Sequence, residues 1–309
     1  MPVFKIQHIT KYEYDWQVKE SVNEIKVFPY QGDNQEVLQH ELLITGNPYV
    51  NTYLDYWHNK TGVFNLLSPH KELVIESRLV IRATASPDLK VNFESGFDKL
   101  EEEVSSNLQL IELATADNIE SQTAIEEIIK TIFSKDYSVA KIAGDCCTYI
   151  YDNFNYIKGI TNIETTVDEV LDRKAGVCQD FAHVMLQILR SVNIPSRYVS
   201  GYICPNKNGM RGEGATHAWV EAWIPEQGWA GIDPTNNVWV TNKHIKLAVG
   251  RNFTDCTPVK GTFKGSANQK LSVYVSIGYE DGHLFHDIND VKTNTSHKYG
   301  TQSENAMQQ

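Results

Sequence analysis

Three side chains in the middle of the chain have the types and spacing for acyl chemistry. In "AGVCQDFAHVMLQILRSVNIPSRYVSGY" (175–202), Cys178 follows a glycine and heads a long apolar-periodic run. A helix N-terminus carries unpaired N–H groups and partial positive charge. Both favour thiolate, the nucleophilic form of cysteine. A nucleophilic thiol also needs an imidazole within roughly 3–4 Å, and the imidazole needs an acceptor that orients it. "THAWVEAWI" (216–224) puts His217 in an alternating, aromatic-rich run, on one face with Trp219, Glu221 and Trp223. "GWAGIDPT" (228–235) offers Asp233. The 16 residues from His217 to Asp233, interrupted by Pro225 and Gly228, suit two antiparallel strands joined by a hairpin. The 39 residues from Cys178 to His217 leave room for a helix, a strand and a loop. Cys-His-Asp on a helix and two strands is then a workable triad. Each member also has an ordinary reading: a helix-start cysteine, a satisfied core histidine, an Asp-Pro turn.

The elements that must position these residues fall into three stretches. Residues 1–100 read as strands. "VFKIQHITKYEYDW" alternates Val3, Lys5, Gln7 against Phe4, Ile6, His8, and "ELVIESRLVIRATA" (72–85) is rich in Val, Ile and Leu. "TGNP", "HNKTG" and "ASPD" supply turns. Over 101–156 the period changes to three and four. Val139, Ile142, Ala143, Cys146, Tyr149, Ile150 and Phe154 mark one apolar helical face, capped at Ser138. Cys146 on that face is a packing residue. From 157 to 285, "TTVDEVLDRKAG" carries a capping-box pattern from Thr166 to Glu169. The run after Cys178 reads as a helix buried on most sides, with strand-like runs behind it and "KLSVYVSIGYE" (270–280) as a closing strand. The tail 286–309 has no apolar period and is expected to be mobile.

Charge and composition narrow the partners. With 39 acidic against 28 basic side chains the formal net charge is −11. That argues against nucleic acid and against an anionic membrane, and makes a cationic or neutral substrate easier to approach. No stretch nears ~18 consecutive apolar residues, and "MPVFKIQHITKYEYDW" lacks the apolar segment of a signal peptide. The five cysteines include no CxxC pair, which points to free thiols in a reducing cytoplasm rather than to a disulfide framework. A metal reading of Cys178, His183 and His217 lacks ligand spacing of a known kind, and no acidic calcium loop is present. No cofactor and no metal are expected.

"GVCQDFAH", "NIPSRYVSGY", "HAWVEAWIPEQGW" and "IDPT", in this order and spacing, resemble the core of the transglutaminase-like superfamily. "HITKYEY" (8–14), "VFPY" (27–30), "DYWHNKTGVFNL" (55–66) and "HKELVIESRLVI" (70–81) resemble, more loosely, the bacterial transglutaminase-like N-terminal region. That region often shows Arg near 26 and Asp-x-x-Gly-Asn near 55–59, where this chain has Lys26 and "DYWHN". The resemblance implies an α+β protein. An N-terminal antiparallel β domain (1–100) precedes a helical segment (101–156). A papain-like core (157–285) follows, with a central helix on an antiparallel sheet.

The resemblance makes Cys178 the nucleophile, His217 the general base and Asp233 the orienting acid, with the Cys178 backbone N–H as an oxyanion donor. Tyr156 and Gln179 are open candidates for a second donor, and His183 reads as structural. Trp219, Trp229 and Tyr202 are candidates for a substrate rim, and the 13-residue loop 204–216 for a lid. The implied reaction is thioester chemistry on a peptide or protein amide. For bacterial-type members hydrolysis is favoured over amine transfer. A non-catalytic protein-binding scaffold is the competing reading.

Overall fold

The computed structural model describes residues 1–32, 34–84, 91–204, 210–212 and 216–279, and the backbone of the strands Leu284–Phe285 and Thr293–Thr295. The chain opens with six strands: β1 (Val3–Val18), β2 (Glu20–Ile25), β3 (Gln35–Ile44), β4 (Asn51–Leu54), β5 (Lys60–Leu66) and β6 (His70–Ala83). Period-two burial defines β1, where Phe4, Ile6, His8, Thr10, Tyr12 and Tyr14 all point inward. Two polar members of that row find partners there. His8 pairs through Nδ1 with the Tyr202 hydroxyl at 2.8 Å and through Nε2 with Thr10 Oγ1 at 3.3 Å. Burial pulls the His8 imidazole down to about 4, so it stays neutral at physiological pH.

Four helices follow: α1 (Phe97–Ser105), α2 (Leu108–Ala114), α3 (Gln122–Ile132) and α4 (Val139–Asn153). Ser138 caps α4, its hydroxyl accepting from the Lys141 N–H at 3.3 Å. Val139, Ile142, Ala143, Cys146 and Ile150 line its buried face, as the spacing of three and four requires.

The central unit then runs β7 (Asn155–Tyr156), α5 (Val167–Arg173), β8 (Ala175–Gly176), α6 (Cys178–Ser191), β9 (Ser196–Ile203), β10 (Thr216–Ile224), β11 (Gly228–Asp233), β12 (Val238–Trp239) and β13 (His244–Gly250). The capping box of α5 forms: Glu169 N–H donates to Thr166 Oγ1 at 3.3 Å, and Thr166 N–H donates to the Glu169 carboxylate at 2.9 Å. Strands β9 to β13 make an antiparallel sheet of order β12-β11-β10-β9-β13. Its β10 presents Ala218, Val220, Ala222 and Ile224 to the same core as α6, and α3, α4 and α5 pack around that helix. These small and branched residues let the helix lie close to the sheet, so α6 is buried along almost its whole length.

The chain ends with α7 (Phe253–Cys256), β14 (Val259–Lys264), β15 (Gln269–Tyr279), β16 (Leu284–Phe285) and β17 (Thr293–Thr295). Here the sequence expectation fails. Residues 259–279, read as the close of the 157–285 core, complete the N-terminal sheets. β15 pairs along β1 from Phe4–Tyr279 to Tyr14–Gln269, and β14 pairs with β2. The first unit therefore holds a sheet of order β16-β15-β1-β6-β3, with β17 also on β15, and a second of order β14-β2-β5-β4. Of the 286–309 tail, Thr293–Thr295 is strand, and the rest lies outside the described residues. Among the described residues no helix is long and apolar enough to cross a membrane.

The two units are joined at the free edge of β13. The "DYWHN" stretch folds into a turn in which Asp55 Oδ1 accepts from the N–H groups of Trp57 (2.9 Å) and Asn59 (2.8 Å). His58 there adopts φ +63°, the left-handed region that favours glycine. The turn aims the Asn59 amide at Val249, which it meets twice: Nδ2 donates to the carbonyl at 2.7 Å, and Oδ1 accepts from the N–H at 2.8 Å. Gln35 treats Lys246 the same way, at 2.8 Å in both directions. Two side-chain amides thus occupy the edge that a sixth strand would take.

Replacing Asn59 with Ala leaves both backbone groups of the buried Val249 unpaired. It is expected to cost about 2–4 kcal/mol, read as a lowered urea midpoint. A loss below about 0.5 kcal/mol would show that this junction contributes little.

Candidate active site

The head of α6 is shaped by its neighbours. A Cβ on Gly176 would stand 2.6 Å from Asp180 Oδ2. With glycine there, Asp180 folds back, and its Oδ2 accepts from the Val177 N–H and the Thr161 hydroxyl, each at 2.7 Å. The "GVCQD" pattern is thus one device: glycine makes room, aspartate caps, and Cys178 takes the first helical position. Its N–H is among those a helix leaves without an internal partner. Cys178 is 1% exposed.

His217 and Asp233 meet in the same place. β10 and β11 pair with Val220 opposite Ile232, which sets Asp233 on the diagonal from His217. His217 Nε2 lies 2.9 Å from Asp233 Oδ2, and both residues are fully buried. Among the described residues Nδ1 has no hydrogen-bond partner, and the Cys178 thiol acts on the ring through its charge. Burial pulls the imidazole's proton affinity down. The charge and hydrogen bond of Asp233, with the charge of Cys178, outweigh it and raise the imidazole to about 10.

Asp233 has further donors. Asn236 Nδ2 reaches Oδ2 at 2.7 Å and the Thr235 N–H reaches Oδ1 at 2.9 Å. His244 Nε2 approaches Oδ2 at 3.4 Å. His244 accepts from the Thr241 N–H at its Nδ1, at 3.4 Å, so Nε2 carries its proton. Burial keeps its imidazole below the ordinary value. Burial also raises Asp233's proton affinity, but His217, through charge and hydrogen bond, and His244 hold the carboxyl far below the usual range. Burial pushes the thiols of Cys146, Cys147, Cys204 and Cys256 up.

The structure brings Cys178, His217 and Asp233 together and gives the expected rim aromatics other work. Trp219 is fully buried, its ring stacked 6.3 Å from His217 and edge-on to His244 at 5.3 Å, in a core with Trp57, Leu113, Val199 and Val249. Tyr202 is fully buried against His8. Neither can form a rim. Trp229 is part-buried, its face under the Arg197 guanidinium at 4.3 Å and its ring edge-on to Trp223. His183 is structural: its ring stacks on Tyr198 and its Nε2 accepts from the Phe253 N–H at 3.2 Å. Gln179 Oε1 is buried without a partner. Burial, Cys178 and Asp233 all push the Tyr156 hydroxyl up.

Within the expected lid, residues 205–209 and 213–215 lie outside the described residues. Arg211 and Gly212 do not. Sequence reasoning missed His244, Asn236 and Gly212. Asn236 had a signal, its place three residues after Asp233 in "DPTNN". His244 had none.

With the site in view, its relatives can be placed. A model of the transglutaminase-like superfamily matches residues 126–234, the stretch that holds Cys178, His217 and Asp233. A model of the bacterial transglutaminase-like N-terminal region matches residues 4–82. The chain belongs to the transglutaminase-like superfamily. An uncharacterised protein of Mycobacterium leprae is 31% identical over 288 residues, 88% of this chain and 97% of its own length. A protein-glutamine gamma-glutamyltransferase of Pseudomonas aeruginosa is 39% identical over 83 residues, 25% of this chain and 12% of its own length. A structure from Cytophaga hutchinsonii, named as a candidate cysteine protease, superposes with a TM-score of 0.72 at 22% identity, over 94% of this chain and 96% of that one. The superposition covers both units, so the two chains share their fold over nearly their whole length.

The raised imidazole fixes a pH dependence. His217 binds its proton more tightly folded than unfolded. The stability this contributes is fully present below the unfolded value of about 6.5 and is lost as pH rises through about 10. Nitrogen-detected NMR should find the ring doubly protonated at pH 8. In Asp233→Asn, where only the charge of Cys178 still opposes burial, the proton should leave at a clearly lower pH. An unchanged titration in that variant would remove Asp233 as the cause.

Proposed function

We propose that the protein is a cysteine-dependent amidase or peptidase acting on a peptide or protein amide. The observation that carries this reading is a buried imidazole anchored to Asp233 on one nitrogen, with Cys178, at the head of α6, acting on its ring. The Cys178 sulfur attacks the amide carbonyl, and its proton resides on His217. The developing oxyanion faces the Cys178 backbone N–H and the positive end of α6. His217 then gives its proton to the departing amine as the carbon–nitrogen bond breaks, leaving a thioester on Cys178. Water, deprotonated by His217, cleaves the thioester, releasing the acid and restoring the thiol. Asp233 holds the imidazole's orientation and stabilises its charged form throughout. The setting we assign is a reducing cytoplasm, in which all five cysteines remain free thiols.

An amine in place of water gives an amide transfer with the same groups. The Pseudomonas gamma-glutamyltransferase, 39% identical over 83 residues, favours keeping that second outcome. The name of the Cytophaga neighbour points to hydrolysis.

Alkylation tests the thiol and imidazole together. At pH 6 iodoacetamide should label Cys178 roughly tenfold or more faster than Cys204 or Cys256 by peptide mapping, and His217→Ala should remove that difference. Equal labelling of all three thiols would replace the enzyme reading with a binding scaffold. A glutamine-containing peptide library in isotopic water with a tagged amine then separates the outcomes. Isotope in the new carboxyl supports hydrolysis, and tag in the product supports transfer.

A further inference from the structure

In a chain of net charge −11, one arginine stands at this site with no acidic partner among the described residues. The sequence holds seven arginines, and each of the other six forms an ion pair with Asp or Glu. Arg211 does not. Its position is nonetheless fixed. Its backbone N–H donates to Asn236 Oδ1 at 2.7 Å and its carbonyl accepts from Asn236 Nδ2 at 3.1 Å, while the same Nδ2 holds Asp233 at 2.7 Å. The next residue, Gly212, has φ +79°, and a Cβ on it would stand 2.7 Å from His217 Nδ1. Arg211 is therefore tied to the proposed acid on one side and abuts the free edge of the proposed base on the other.

The guanidinium itself is under-used. It stacks 4.5 Å over Tyr151 and, among the described residues, makes one bond, at 3.5 Å, to the Thr235 carbonyl. Five N–H donors arranged as a rigid fork are built for a planar, bidentate acceptor. Its positive charge also reaches the Tyr156 hydroxyl, the group that Cys178 and Asp233 face as well. A half-buried cation beside the proposed base, held in place and with no acidic partner among the described residues, has the chemistry of a carboxylate receptor.

We propose that Arg211 binds a carboxylate of the substrate, so that the amide attacked by Cys178 lies next to a free carboxyl group. A substrate carrying a carboxylate would depart from the cationic or neutral one expected from net charge. The inference rests on the acyl-chemistry reading above and names its substrate class. The carboxylate has two sources, an acidic side chain or an α-carboxyl group.

The test uses two alkylating reagents of similar size that differ by one charge. The ratio of Cys178 labelling rates, iodoacetate over iodoacetamide, cancels any general change in thiol reactivity. Arg211→Gln is expected to lower that ratio roughly tenfold, and Arg211→Lys, which keeps the charge without the fork, by less. An equal ratio in wild type and both variants overturns the proposal, and the Lys variant carries the test if the Gln variant does not fold. The isomers N-acetylglutamine and N-acetylisoglutamine, with the carboxylate on the α-carbon or the side chain, assign the source. The better protector of Cys178 against iodoacetamide names it, provided Arg211→Gln abolishes the protection. Protection that survives the substitution, or none from either isomer, also overturns the proposal. Failure of the underlying reading is seen separately, as loss of the His217→Ala effect on iodoacetamide labelling.

Discussion

A fully buried carboxylate has lost its water, a cost of several kcal/mol that only close donors and an opposite charge offset. Asp233 sits at that extreme, and much of the central unit can be read as the means of meeting its needs. His217 supplies the charge, Asn236 and the Thr235 backbone supply hydrogen bonds, and His244 supplies a neutral N–H from a strand on the far side of the sheet. These donors come from β10, the turn after β11, and the first residue of β13. The carboxylate therefore fixes the mutual placement of three separate parts of the sheet. In turn it keeps a proton on an imidazole whose burial alone would expel it. Cys178 lies at the other end of this chain of dependence, on a helix head that Gly176 and Asp180 shape independently.

That dry environment is supplied largely by the N-terminal unit. The face of β10 that carries His217 also carries Trp219 and Glu221. Trp219 packs against Trp57 of the turn before β5, and Glu221 is paired with Arg197 and Lys246. Burial raises the Glu221 carboxyl's proton affinity, but the two cations bring it down to about 2, so it stays ionised in place. Lys246 is also the residue whose backbone Gln35 grips. The β unit is thus the second wall of the sheet whose first wall is α6. The return of β14 and β15 to β2 and β1 locks that arrangement from both chain ends.

The sequence made the local parts of this legible. Cys178, His217 and Asp233 each stand in a short pattern whose period betrays the element, and two strands joined by a hairpin leave the acid few places to be. The α5 capping box and the α4 stripe were readable for the same reason: their partners lie three or four residues away. What could not be read is long-range. "KLSVYVSIGYE" announces a strand, but nothing in it says that its partner is β1, more than 250 residues earlier. His244 reaches Asp233 only because β13 crosses to the far side of β9. Trp219 and Tyr202 look like rim residues while their surroundings are unknown. Large aromatics near a reactive group serve equally as its wall and as its floor, and the choice depends on the N-terminal unit that covers them.

The same dependence limits how the molecule can be divided. A cut at residue 100 would leave the central sheet without Asn59 and Gln35 on its edge, and the face behind His217 open to water. The backbone groups of Val249 would then exchange a buried partner for solvent, and water near Asp233 would weaken the interaction that raises the imidazole. The proton on His217 is consequently a property of both units together, although Cys178, His217 and Asp233 all lie in one. This gives a physical reason for the N-terminal region to accompany the core along nearly the full length of the Mycobacterium leprae relative and the Cytophaga hutchinsonii structure. The β unit completes the low-dielectric enclosure in which an anchored imidazole can act on a thiol.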